Sequence, residues 1–490
     1  MVDTDTTRST GLPPLQSPRL LVAGLSIVVL TVAVLQTAVV PVLGIIADQL
    51  DASIVGVSWA VTANLLAAVA ASPLLGRLAD LHSKHRVLLG VLVVVLAGSL
   101  LAATTSSLEL LIVARVLQAA SYALYPISIA ILREELSSDR LMSAMAVLSG
   151  TLGFGGGTGL VVVGLLMSGD AGYHRVFWLT TAFTVMVIAI VLLVVPRRPR
   201  SAAGSIDWLG ATGLAVGLSA LLLAITQGQT WAWTSPATLG CALGGAAVLT
   251  GWWCWERRAR QPLVSTTMLT RRPIMLTNLA TIFVGMGLYF AFLGLTLFVQ
   301  IPRDGAGYGF GASVLEASVV YLLPGAFTGF LVALVSGRYI DRFGARPVLM
   351  LAAVAGIAGF LFITFAHSHT WQVIVAGILA NAYISLGYGA LPALVVSEVG
   401  AGETGVATSM NAIARTIGSS MAAALVAMLL SRSTPGAGVP MESSFFAIFL
   451  GGAVTAMLAL VLIAVSRPTP RPVDSVEARY ESRAMNHEWG

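Results

Sequence analysis

The chain has 490 residues, of which 57% are hydrophobic and only 10% carry a charged side chain. Soluble globular domains contain about 45–50% apolar and about 25% charged residues, so this composition excludes a soluble protein. The net charge of +5 reflects where the basic residues lie relative to the apolar stretches, and it indicates membrane topology rather than a nucleic-acid partner.

Fourteen apolar stretches follow one another along the chain, each long enough to cross a bilayer as a helix. Because the backbone must satisfy its own hydrogen bonds in lipid, the sequence predicts an all-α polytopic membrane protein. The predicted spans are residues 20–46, 54–75, 87–105, 108–132, 141–167, 175–195, 208–226, 236–255, 273–301, 312–336, 347–366, 370–395, 404–430 and 444–465.

The loop between spans 2 and 3 reads GRLADLHSKHR, at residues 76–86, and concentrates charge in an apolar chain. Gly76 lets two helices approach closely, since it has no side chain. Asp80 can pair with Lys84 or Arg86, or accept hydrogen bonds from the N-terminus of a neighbouring helix. The alternative is that the basic residues of this loop only enforce the topology.

Charged residues inside spans are functional candidates, because a charge facing lipid is costly. Arg115 lies in span 4 and Arg415 in span 13, and both are expected to face the protein interior. In the alternative interpretation, each is a fixed strut held by backbone carbonyls and by neighbours such as Gln118 or Asn411. Glu316, in span 10, is the best single candidate for a proton carrier, since it is the one acid clearly inside a predicted span.

Span 5 contains the glycine-rich stretch GFGGGTGLVVVG. Gly155, Gly159 and Gly164 are expected to allow tight helix packing. A phosphate loop is excluded, because the stretch lies inside an apolar run and no Lys-Ser or Lys-Thr pair follows it.

Aromatic and amide side chains inside the spans suit a pocket for amphiphilic compounds. The candidate cavity residues are Gln36, Gln118, Tyr122, Asn278, Tyr289, Phe290, Tyr321, Asn381, Tyr388 and Asn411. Any one of them alone is more often a packing residue than a substrate contact.

The loop after span 2 returns after span 10 as GRYIDRFGARP, with Gly337, Asp341 and Arg346 in the matching places. This repeat indicates two six-helix halves with an inserted helix pair, and transporters of that design bind substrate between the halves. The predicted segments are an N-terminal tail (1–19), a first bundle (20–200), an inserted pair of spans 7 and 8 (201–270), a second bundle (271–466) and a C-terminal tail (467–490).

The distribution of basic residues gives the orientation. With the N-terminus inside, 22 of the 27 Lys and Arg fall on inner segments and three on outer loops, and the other two are the intramembrane arginines. Since inner loops of membrane proteins are enriched in Lys and Arg, both termini are expected to be cytoplasmic.

These features resemble the major facilitator superfamily, and within it the branch of fourteen-span drug:proton antiporters. The resemblance covers nearly the whole chain and rests most on GRLADLHSKHR, on LLIVARVLQAASYALYP in span 4, on IDWLGATGLAVGLSALLLAITQG in the inserted pair and on TSMNAIARTIGSSMAAAL in span 13. It implies the major facilitator fold, in which Asp80 and its basic partners form an inner latch while the cavity faces outward.

The resemblance also implies a function. It implies export of lipophilic or amphiphilic small molecules, as in multidrug efflux and antibiotic resistance, by alternating access with the proton gradient as driving force. We expect no cofactor, no metal and no enzymatic activity, and a monomer in contact with membrane lipids in a bacterial inner membrane. Two intramembrane arginines without a midplane acid favour neutral or anionic substrates. The alternative is a dedicated exporter of an endogenous metabolite or lipid-like molecule, with or without proton coupling.

Overall fold

The computed structural model describes residues 17–39, 42–167, 172–199, 204–430 and 440–466, and the predicted all-helical architecture is confirmed. Fourteen helices in this part of the chain are long and apolar enough to cross a membrane. We number them α1 to α14: Pro18–Thr37, Gly56–Leu81, Lys84–Thr104, Leu108–Glu135, Arg140–Leu166, His174–Val194, Trp208–Trp231, Pro236–Glu256, Arg272–Gln300, Ala317–Ile340, Ala345–Phe365, Thr370–Ser397, Thr404–Leu430 and Glu442–Val465.

The first span is shorter than the sequence predicts. Helix α1 ends at Thr37, and a separate short helix runs over Leu43–Gln49, whereas one span over 20–46 was predicted. The sequence between the two helices contains Pro41, which cannot donate a backbone hydrogen bond and disfavours a continuous helix.

The spanning helices pack as two groups that meet along a few helices. Within the first group α1 packs on α5 and α6, and α3 packs on α4 and α6. Within the second group α9 packs on α13 and α14, and α11 packs on α12 and α14. The groups meet where α2 packs on α13 and where α5 packs on α10 and α12.

The inserted pair, α7 and α8, lies beside this interface. The two helices pack on each other, and α7 also contacts α2 from one group and α13 from the other. The pair is therefore in contact with the two helices that meet at one end of the bundle.

Two of the described spans contain an irregular helical segment. Helix α4 contains a 3-10 segment over Ala119–Ala123, and α10 begins with a π-helical segment over Ala317–Leu322. Such segments inside longer helices are frequent at functional sites, because they rotate the side chains that follow.

Candidate functional site

Asp80 joins the two groups at one end of the bundle, which we call the Asp80 end. Its carboxylate accepts hydrogen bonds from the backbone N–H groups of Gly405 (3.0 Å) and Val406 (3.1 Å). These N–H groups belong to the first turn of α13, where they lack partners inside the helix and the helix dipole favours a negative charge. Asp80 is fully buried, so the contact excludes water and closes this end.

The close approach of α2 and α13 depends on two glycines. A Cβ atom at Gly76 would lie 2.7 Å from the Gly405 carbonyl oxygen, and one at Gly405 would lie 2.6 Å from the Gly76 carbonyl oxygen. Either side chain would therefore push the helices apart and move Asp80 away from the N-terminus of α13. We call Gly76, Asp80, Gly405 and Val406 the Asp80 latch.

Two basic residues of the loop, Arg77 and Lys84, lie close enough to Asp80 to act on its charge. Lys84 is buried and forms an ion pair with Glu134, at the end of α4, while Arg86 is exposed. Of the partners that the sequence allows for Asp80, the N-terminus of a neighbouring helix donates hydrogen bonds to its carboxylate.

Arg133 makes a second contact between the groups at the Asp80 end, and sequence reasoning missed it as a site residue. Its guanidinium donates hydrogen bonds to the carbonyl oxygens of Val399 and Gly400 and to the hydroxyl oxygen of Thr404. The available signal was its position at the inner end of span 4, which also fits a residue that only sets topology.

The second copy of the loop motif lies where α10 meets α5. A Cβ atom at Gly337 would lie 2.6 Å from the Cα atom of Ser143, so this glycine also permits a close helix crossing. Arg346 donates hydrogen bonds to the carbonyl oxygens of Ile463 and Ala464, at the end of α14. The side chain of Asp341 lies outside the described residues.

A cavity lies between the two groups near the middle of the bundle, on the side away from Asp80. Its volume is about 150 Å³, and a neighbouring cavity of about 90 Å³ shares part of its wall. Helices from both groups contribute to the lining. Five predicted cavity residues line these two spaces, namely Gln36, Tyr122, Tyr289, Asn381 and Tyr388.

Arg415 lines the smaller cavity and lies against two tyrosine rings. Its Cζ atom is 4.4 Å from the ring centroid of Tyr388 and 5.7 Å from that of Tyr125. Both distances fit cation–π contacts, which hold a guanidinium in place without neutralising its charge. Among the described residues that line the two cavities, Arg415 is the only one with a charged side chain.

A hydrogen-bonded joint between the groups underlies the cavity. The backbone carbonyl oxygen of Tyr388 lies 3.0 Å from the Tyr125 hydroxyl and 3.1 Å from the Ser149 hydroxyl, and it accepts a hydrogen bond from this pair. The two hydroxyls are also 2.7 Å apart. The first group is thus hydrogen-bonded to the backbone of α12, directly beside the Tyr388 ring that faces Arg415.

Arg115 is held by backbone carbonyls and a neighbouring side chain, as in the alternative interpretation of the sequence. Its guanidinium donates to the carbonyl oxygens of Leu35 (3.2 Å) and Ala60 (3.3 Å) and to the side-chain oxygen of Gln118 (2.7 Å). It is buried and lines neither of the two cavities. Arg115 and Gln118 therefore tie α1, α2 and α4 together as a fixed strut.

Four further residues that were predicted as cavity candidates lie elsewhere. Asn411 donates to Asn278 and Thr281, which joins α13 to α9. Phe290 packs against Gly451 in α14, and the hydroxyl of Tyr321 lies 3.4 Å from that of Thr370. These side chains are turned towards neighbouring helices because each lies on a face of its span that packs inside the second group.

Glu316 lies in the first helical turn of the predicted span 10. The turn Val314–Glu316 leads directly into the π-helical start of α10, and the Glu316 side chain is exposed. Its backbone N–H is capped by the Ser313 hydroxyl at 3.2 Å. The acid is therefore at the mouth of the bundle, at the end opposite to Asp80.

The predicted packing glycines of span 5 contact helices on two sides. A Cβ atom at Gly155 would lie 2.5 Å from Leu30, and one at Gly159 would lie 2.8 Å from Thr37, both in α1. Gly164 is in looser contact with Leu315, before α10. Gly155 and Gly159 thus allow tight packing of α5 against α1.

A buried acid outside the predicted set lies at the end of α8. Glu256 is buried and accepts a hydrogen bond of 3.1 Å from the indole N–H of Trp252. Asp207, which caps the start of α7, accepts a similar bond from Trp255. Its position at a predicted span end made Glu256 look like an interfacial residue in the sequence.

Comparison with known proteins agrees with this geometry. The family model of the Major Facilitator Superfamily matches residues 25–423 and 279–486. An uncharacterised MFS-type transporter of Mycobacterium tuberculosis is 29% identical over 84% of this chain, and this chain spans 60% of that relative's length.

Two relatives with functional names are also similar. A multidrug resistance protein B homolog of Mycobacterium tuberculosis is 24% identical, over 82% of this chain and 77% of the relative. The tetracenomycin C resistance and export protein of Streptomyces glaucescens is 26% identical, over 79% and 71%. The human organic anion transporter MFSD10 shares the fold, with a TM-score of 0.61 and 16% identity over 91% of this chain and 99% of the other.

Proposed function

Because the chain belongs to the major facilitator superfamily, a family of membrane transporters, we propose that it exports lipophilic or amphiphilic small molecules by alternating access. The observation that supports this most is the pair of cavities between the two groups, lined by tyrosine, amide and apolar side chains and closed at the Asp80 end. Such a lining suits compounds with a large apolar surface and few polar groups.

The described conformation is closed at the Asp80 end. The Asp80 latch and Arg133 hold the groups together at one end, which the distribution of basic residues predicts to be cytoplasmic. The two cavities are smaller than the roughly 300–1,000 Å³ of pockets for drug-sized ligands. Substrate release therefore requires the groups to separate at the opposite end, and substrate capture requires the Asp80 latch to break.

The charge of the cavity favours neutral or anionic substrates. Arg415 brings a positive charge to the lining, and its neighbours there are tyrosine rings rather than carboxylates. In a low-dielectric site an anionic group gains from this charge, whereas a cationic group is repelled. This proposal distinguishes the protein from exporters of cationic drugs.

Transport by the purified protein in proteoliposomes tests the proposal. We expect accumulation of the anionic dye carboxyfluorescein and the neutral dye Nile red, and slower transport of cationic ethidium. The Arg415→Gln variant should lower carboxyfluorescein transport about tenfold, since a hydrogen bond or ion pair with a buried charge contributes about 1.5–3 kcal/mol. Nile red transport should change little.

The matched control is Arg303→Gln, which removes an exposed arginine outside the cavity. If Arg415→Gln and Arg303→Gln behave alike with all three dyes, Arg415 does not select substrate charge. Ethidium transport that exceeds transport of both other dyes would contradict the preference itself.

A dedicated exporter of one endogenous compound is the second candidate. The relative from Streptomyces glaucescens is named for a single antibiotic, tetracenomycin C, and the central cavities here are small. The transport rates of chemically unrelated dyes distinguish the two candidates. A multidrug exporter transports several of these dyes, whereas a dedicated exporter transports none of them at a comparable rate.

Proton coupling stays a prediction, with Glu316 as its candidate. In proteoliposomes with an imposed pH gradient, Glu316→Gln should abolish the stimulation by the gradient if this carboxylate carries the proton. Glu109→Gln, which alters another exposed acid in the first turn of α4, is the matched control. Unchanged stimulation in the Glu316→Gln variant would remove this residue as the carrier.

A further inference from the structure

A long groove, separate from the central cavities, runs along the lipid-facing surface of α2, α3, α4 and α7. Its volume is about 920 Å³, several times that of either central cavity. Along α2 it extends from Ala67 to His82, a distance of about 22 Å at 1.5 Å per residue. Because one leaflet of the hydrocarbon core is about 15 Å thick, the groove crosses a whole leaflet and ends at the Asp80 end.

The walls of the groove are apolar over most of this length. The lining consists mainly of Ala, Val and Leu side chains, and Val94 and Val116 remain 39% and 42% exposed. A Cβ atom at Gly90, in α3, would meet no atom within 4 Å. This open apolar surface lies on membrane-spanning helices, so acyl chains are the groups that fill it.

The polar groups of the groove gather at the Asp80 end. His82, Ser83 and Arg86 line it there, together with Trp208 at the start of α7. His82 and Arg86 are exposed, and Trp208 is 65% exposed. Tryptophan is enriched at the level of the lipid headgroups, so Trp208 indicates that Arg86 lies at this level as well.

We propose that this groove binds one anionic glycerophospholipid of the adjacent leaflet, with an acyl chain along α2 and α7 and its phosphate on Arg86. A guanidinium binds phosphate oxygens through two parallel hydrogen bonds. Cytoplasmic leaflets carry anionic lipids, and the predicted orientation places this end in that leaflet. A zwitterionic headgroup would bring its own positive charge next to Arg86 and bind less well.

Such a lipid would connect two parts of the molecule. Its chain would fill the space between α2, which carries the Asp80 latch, and α7 of the inserted pair. Helix α7 forms one wall of the groove with the residues Trp208, Ala211, Thr212 and Ala215. The inserted pair thus completes a lipid site on the outside of the transporter.

Native mass spectrometry of the purified full-length protein tests the proposal without any transport assay. The protein is equilibrated in detergent with equal amounts of phosphatidylglycerol and phosphatidylcholine, and the retained lipid is counted. We expect preferential retention of phosphatidylglycerol. Arg86→Gln should lower this preference about fivefold, since each basic residue at the surface contributes about 1 kcal/mol to binding of anionic lipid. Arg272→Gln, at another exposed arginine at the same end, should retain it.

A second pair of variants tests the apolar part of the groove. Gly90→Leu adds a side chain into the open space and should reduce retention of both lipids. Gly251→Leu, in α8, has equally open surroundings outside the groove and should leave retention unchanged. The proposal is overturned if Arg86→Gln keeps the full preference for phosphatidylglycerol, or if Gly90→Leu retains as much lipid as Gly251→Leu. Loss of Nile red binding in Gly90→Leu with normal lipid retention would instead make the groove an entry path for substrate.

Discussion

Arg115 and Arg415 are two intramembrane arginines with different roles, and the difference lies in their partners. Backbone carbonyls of α1 and α2 hold Arg115 away from the cavity, whereas tyrosine rings hold Arg415 at its wall. The sequence could place both inside spans, because a charge in a long apolar run is conspicuous. It could not assign the roles, since the acceptors of Arg115 are main-chain oxygens, which every residue has.

Asp80 is the residue for which the sequence prediction was most specific. The substitution Asp80→Asn removes the charge that two backbone N–H groups of α13 now contact. Because hydrogen bonds to a charged group contribute about 1.5–3 kcal/mol, we expect the closed Asp80 end to be destabilised and steady-state transport to fall about tenfold or more.

The measurement for Asp80→Asn is dye transport in proteoliposomes at matched protein content, with thermal stability recorded in parallel. Asp304→Asn, an exposed residue at the opposite end, serves as the control. Normal transport by Asp80→Asn would show that the loop only sets topology.

At the scale of helices, glycine positions decide which spans touch. The contact of α9 with α13 is the tightest example: a Cβ atom at Gly418 would lie 1.9 Å from the carbonyl oxygen of Ile282. The number and order of spans were predictable from hydropathy. Their rotation was not, because the faces towards lipid and towards other helices are equally apolar, and Phe290 and Tyr321 were assigned to the cavity for that reason.

The substitution Gly418→Ala should therefore lower the stability of the second group. Overpacking of this kind costs about 1–3 kcal/mol, and we expect a lower melting temperature and a smaller monodisperse fraction in size-exclusion chromatography. Gly251→Ala, where a Cβ atom meets nothing within 4 Å, should match the unmodified protein. Equal melting temperatures for the two variants would contradict the packing argument.

At the scale of the whole molecule, charge distribution predicts the orientation in the membrane. Basic residues are concentrated on one side of the predicted spans, and this side carries both copies of the loop motif. The fourteen predicted spans correspond to fourteen helices, within the described residues, that are long and apolar enough to cross a membrane. The orientation stays a prediction, which rests on the excess of arginine on one side of the spans.

Reporter fusions measure this orientation. A green fluorescent protein fused after residue 490 should fluoresce, and alkaline phosphatase at the same site should be inactive, since both reporters would be cytoplasmic. Alkaline phosphatase inserted in the loop between α5 and α6 should be active. The reverse pattern would contradict the predicted orientation and would place the Asp80 latch on the outer face of the membrane.

The joint beside the cavity has a consequence for how this transporter can diversify. Tyr125 and Ser149 bind residue 388 through its carbonyl oxygen, a group that is present whatever amino acid stands there. The ring of that residue, by contrast, faces Arg415 and the cavity. Natural selection can therefore exchange the side chain at 388 to alter the range of transported compounds, while the hydrogen-bonded connection between the halves is inherited unchanged.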